Sequence, residues 1–171
     1  MALSAIAPAI SQGRDLVDED LWSRITRRIS KEEEVTPELA ERIFDQALAF
    51  LALCAKAPGS GVHYSPSATV DIGWHTFILY TREYLNFCNG IAGRFIHHEP
   101  SDIPGMTYPR HQIGRTVEAL IASGFYVDKT LWLQADADLS ALGRGAADCS
   151  SYCNGDSCSG GGGDGDSGCT H

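Results

Sequence analysis

Asp71 and His75 stand four positions apart in a stretch that reads as helix. Four residues are slightly more than one helical turn, so both side chains project from one face. Arg82, seven beyond His75, falls on that same face, and Trp74 stands next to it as a wall. Two further imidazoles, His97 and His98, follow after Gly90 and Gly93, which let the chain turn. A carboxylate with imidazoles is a ligand set for Zn²⁺ or another divalent cation. The expected ligands are Asp71, His75 and His98, with His97 as the substitute in third place. Arg82 would balance charge or orient a ligand. The Asp71–His75 pair could also be a general acid/base dyad, but no motif marks a Ser or Cys nucleophile nearby. Or it is a hydrogen-bonded pair whose carboxylate only fixes the ring.

A second set of potential ligands lies at the other end of the chain. Cys149, Cys153, Cys158 and Cys169 are spaced by 4, 5 and 11 positions. That is not the paired Cys-x-x-Cys spacing of a preformed zinc knuckle. Residues 146–171 hold 7 Gly, 5 Ser, 4 Asp and 4 Cys, and no Leu, Ile, Val, Phe, Met, Lys or Arg. Such a segment cannot bury enough apolar surface to offset the entropy of ordering it, so it reads as a disordered tail. Three uses compete: scavenging soft metals such as Cu(I) or Zn²⁺, a modifiable peptide carried by a folded leader, or a plain solubilising linker. Asp164-Gly165-Asp166 lacks the further ligands of a calcium loop.

The elements that must position Asp71 and His75 are helical. Leu16, Val17, Leu21, Trp22, Ile25 and Ile29 give Asp15–Ser30 one apolar face. Thr36 as N-cap with Pro37 at the first helical position opens a second helix, running to about Lys56 and apolar on most sides. It is expected at the centre, with Cys54 as a small core residue. Ser65-Pro66-Ser67 precedes a third helix over about Ala68 to Phe87, followed by a fourth from Arg110 to Ser123 and a short last one from Lys129 to Leu142. Phe125-Tyr126-Val127 is long enough for one short strand only. The fold class is therefore mainly α, a compact bundle of four to five helices. If the third helix is unbroken, Cys88 lies ~20 Å from His75 along its axis, outside any shared site. Nine or ten extended residues after Cys88 span ~30 Å, enough for His97 or His98 to return alongside.

With 171 residues, the chain has room for one domain with short appendages. The expected division is a flexible arm over 1–13, a helical domain over 14–145 and the tail over 146–171. Formal charge is -9. A net-acidic surface repels phosphate backbones and anionic lipids, so nucleic-acid and membrane binding are not expected. A protein partner or a small ligand remains. The apolar run around Ala47–Ala57 falls short of the ~20 residues that span a bilayer. The N-terminus lacks the basic residues that open a signal peptide, so the expected compartment is cytoplasmic. No P-loop, dinucleotide fingerprint or nucleophile elbow is present.

Asp71, Trp74 and His75, then Tyr84, Cys88, Gly93 and Phe95-Ile96-His97-His98-Glu99-Pro100, together resemble the pattern of the glycine-rich domain-containing protein-like family. The Gly- and Cys-rich C-terminus adds to the likeness. The resemblance implies a helical domain with no established reaction. It also implies a shared polar site around Asp71 and His75, with Trp74 and Tyr84 supporting it. Many relatives carry a second His where Phe77 stands here, and a Pro before the Tyr that Thr81-Arg82-Glu83-Tyr84 lacks. The leading expectation is a small soluble binding protein for a divalent metal. The alternatives are an interaction module without metal and a metalloenzyme with an open coordination position.

Overall fold

The computed structural model describes residues 10–56, 64–98 and 112–134. Helix α1, Glu19–Glu32, starts where the Asp18 carboxylate accepts the Leu21 amide hydrogen. Leu21, Trp22, Ile25 and Ile29 are its buried stripe, as the spacing predicts. The chain before it is not a continuation of α1 but a separate 3₁₀ turn, Gly13–Leu16. The interruption has a packing cause. The Arg14 amide donates to the buried Asp45 carboxylate at 2.8 Å. A Cβ on Gly13 would meet the Asp45 carbonyl and stand 2.8 Å from the Ala49 nitrogen, so only glycine lets the backbones touch.

Helix α2, Pro37–Ala55, is capped by the Thr36 hydroxyl and carries proline at its first position. It is buried from Ile43 to Cys54 and forms the axis of the molecule. Its aromatic residues tie the layers together. Phe44 meets Trp22 of α1 at 5.4 Å, and Phe50 stands 5.4 Å from Trp74 and 6.3 Å from Trp132. Cys54 is fully buried, as expected of a core position.

The third helix of the sequence reading is two helices. Helix α3 is Ala68–Ile78 and α4 is Thr81–Ala92, separated by Leu79 and Tyr80. No Gly or Pro marks the break. It is required by packing: the Trp74 indole N–H donates to the Tyr84 hydroxyl at 2.8 Å. Ten residues of one straight helix would put these two about 15 Å apart along the axis. The turn also brings Phe87 and Tyr84 edge-on to Phe77, each at 5.2 Å. Helix α4 ends at Gly93, whose φ of 65° is the left-handed conformation that closes helices and favours glycine.

Helix α5, Gln112–Ala122, falls within the expected Arg110–Ser123. The short strand is a single parallel bridge between Phe125 and Ser11. A π-helical turn, Thr130–Gln134, closes the described chain. The rest of the expected last helix lies outside the described residues, as do the four tail cysteines. Trp22 and Trp132 are core residues. Four helices packed around α2, with no strand among the described residues, make the fold mainly α as read.

Candidate metal centre

Ser67 caps α3 by accepting the Val70 amide, and its hydroxyl donates to the Leu131 carbonyl at 2.6 Å. This fixes the start of the helix one turn before Asp71. Gly73 lets α3 approach α2 closely, for a Cβ there would stand 2.7 Å from the Ala47 methyl. Asp71 and His75 thus project from a helix held at two points.

The third side chain of the cluster arrives from the segment that leaves α4. His98 Nε2 stands 3.1 Å from Asp71 Oδ1, and His75 Nε2 stands 3.6 Å from Asp71 Oδ2. The two imidazole rings stack at 4.2 Å between centroids. One donor atom from each of Asp71, His75 and His98 lies within 4.8 Å of the others. Donors at about 2.0–2.2 Å from one tetrahedral cation are separated by roughly 3–4 Å, so the set suits such an ion. The Asp71 side chain is 3% exposed and that of His98 11%, but that of His75 is 46% exposed. The cluster is therefore buried on one side and open on the other.

Burial holds the His75 imidazole below its ordinary value against the pull of the Asp71 charge, and His98 adds to the lowering. A neutral ring is the form that coordinates a cation.

A hydrogen-bonded clamp lies behind His98. The Tyr84 hydroxyl accepts from Trp74 and donates to the Ile96 carbonyl at 2.6 Å. The free, buried Cys88 thiol lies beside Tyr84 and the Ile96 backbone. Burial pushes both the Tyr84 phenol and the Cys88 thiol upward, so both stay protonated. The Trp74 ring also lies 4.5 Å from the His98 ring. Trp74 and Tyr84 are thus neighbours of the cluster. Cys88 is no ligand, but it belongs to the clamp. That role was invisible in a straight helix, because the break after Ile78 creates it.

Two expectations are revised. His97 points away from the cluster: it is exposed, with its ring 4.9 Å from Phe95. Adjacent residues in an extended segment face opposite sides, so only one of the two histidines can reach Asp71. Arg82 is exposed on α4 beside Glu83, because the helix break removes it from the face of His75.

A cavity of about 320 Å³ lies elsewhere, where Arg14, Arg42, Asp45 and Tyr126 meet. Its buried carboxylates already have partners: Asp45 has the Arg14 amide and Gln46, and Asp128 has Arg42. It is a seam between elements.

The chain belongs to the UCP032817-like family, whose model matches residues 15–114. The match runs from before α1 into α5 and includes Asp71, His75 and His98. No curated protein and no solved structure matches the chain. No helix among the described residues is long and apolar enough to cross a membrane.

Proposed function

We propose that this protein binds a divalent metal ion, zinc foremost, through Asp71, His75 and His98. The observation that carries the reading is the convergence of three donor atoms, within 4.8 Å of one another, from α3 and the segment after α4. A buried carboxylate bracketed by two imidazoles is a donor set that zinc accepts. Three protein ligands would leave a fourth position on a tetrahedral ion, and the His75 side chain is 46% exposed. That opening favours a second reading, a metalloenzyme acting on a small ligand, over a closed structural site. The likeness to the glycine-rich domain-containing protein-like family rests on the same Trp74, His75, Tyr84, Cys88 and His98. It supports a shared polar site without naming a reaction. A cytoplasmic location remains part of the proposal.

The test is metal content by elemental mass spectrometry on full chain purified without affinity-tag metal. Three forms are compared: the wild type, His75→Ala, and a form with Cys149, Cys153, Cys158 and Cys169 all changed to Ser. Near-stoichiometric zinc in the wild type and the serine form, lost in His75→Ala, is the expected result. Zinc lost only in the serine form would move the function to the tail thiols. No metal in any form would leave an interaction module.

A further inference from the structure

His98 has no helix to hold it. It lies in an extended segment, Phe95–His98, that leaves α4 after Gly93, yet its ring must meet Asp71 with ångström precision. The contacts that fix this segment converge on Ile96, two residues before His98. Its carbonyl accepts the Tyr84 hydroxyl at 2.6 Å, and the buried Cys88 thiol lies beside its backbone. Its side chain is fully buried. Tyr84 is itself oriented by the Trp74 indole, and Trp74 is the residue next to His75. Phe95 closes the outer side with its ring edge-on to Tyr84 at 5.2 Å. One hydroxyl therefore joins the helix that supplies two ligands to the segment that supplies the third.

We infer that Tyr84 is a positioning residue for the metal centre, setting the place of His98 through the Ile96 carbonyl, with the buried Cys88 thiol packed behind the same peptide. The inference rests on the metal-binding reading above. Outer contacts that orient a ligand typically govern 10–100-fold in metal affinity. Here the contact is made to the ligand's backbone, two residues away, so it acts on the ring's position.

The experiment compares full-length wild type, Tyr84→Phe, Cys88→Ala and Phe87→Leu. Phe87 is a buried α4 residue outside the clamp, so its truncation controls for simple loss of stability. Zn²⁺ affinity is measured by chelator competition, and the visible absorption bands of bound Co²⁺ report ligand geometry. Tyr84→Phe is expected to weaken Zn²⁺ binding roughly 10–100-fold and to alter the Co²⁺ bands. Cys88→Ala is expected to weaken binding by a few-fold. Phe87→Leu should lower thermal stability but leave affinity and the bands unchanged. If Tyr84→Phe does not fold, Cys88→Ala decides. Wild-type affinity and spectra in the folded clamp variants would overturn the inference and leave metal binding standing. An equal loss in Phe87→Leu would reduce Tyr84 to a stability role. A wild type that binds neither metal would overturn the metal-binding reading itself, and this inference with it.

Discussion

Asp71 and His98 are 27 positions apart in the chain, and their side chains meet at 3.1 Å. His75, one turn along the same helix as Asp71, faces the other oxygen of that carboxylate at 3.6 Å. One buried carboxylate thus organises two imidazoles that reach it by different routes.

If this carboxylate and its far partner hold a cation, removing either is expected to weaken Zn²⁺ binding by more than the 10–100-fold typical of supporting contacts. Asp71→Asn keeps the shape and removes the charge, and His98→Ala removes the donor. Chelator competition measures both. Affinity within twofold of wild type in both variants would contradict the site.

Metal that binds only the folded chain must stabilise it. Free Zn²⁺ at about 100 times its Kd should add about 2.7 kcal/mol, read as a rise in Tm. His75→Ala should abolish the rise. Excess chelator should return the wild type to its metal-free Tm.

His75 also predicts a pH dependence of the metal-free protein. Its folded-state pKa is lowered, chiefly by burial, so the unfolded chain binds its proton first as pH falls. The stability that depends on neutral His75 is therefore present above the ordinary histidine value of about 6.5 and lost as pH falls through the folded value. Urea midpoints between pH 7.5 and pH 5 should decline less steeply in His75→Gln than in the wild type. Parallel slopes would count against the burial assigned to this ring.

Gly73→Ala tests the approach of α3 to α2. The added methyl would stand 2.7 Å from Ala47 Cβ and 3.1 Å from the Ile43 carbonyl. Overpacking of this kind costs about 1–3 kcal/mol, offset by up to about 1 kcal/mol of helix propensity. Urea denaturation should show a net loss. A gain would mean that the two helices can separate freely.

Gln46 predicts the largest loss of stability. Its side-chain carbonyl accepts from the Asp128 amide at 3.0 Å and the Trp132 indole at 2.8 Å, and its amide donates to Asp45 at 2.8 Å. Gln46→Leu leaves two buried donors without an acceptor, at about 1–3 kcal/mol each. A loss of about 3 kcal/mol is expected by denaturant titration. A loss below 1 kcal/mol would show that water or a neighbour replaces the amide.

Much of this protein was legible in its sequence. Local preferences decided where α1, α2 and α5 lie, because apolar spacing, the Thr36 cap and Pro37 act over one or two turns. The spacing of Asp71 and His75 settled their common face for the same reason. Tertiary structure decided the rest. The break between α3 and α4 has no Gly or Pro to announce it; it exists because Trp74 bonds Tyr84 and Phe77 packs edge-on to the same ring. From that break follow the exclusion of Arg82, the clamp of Tyr84 and Cys88 on Ile96, and the choice of His98 over His97. No short-range pattern carries such information, since each of these contacts depends on where a later segment folds back.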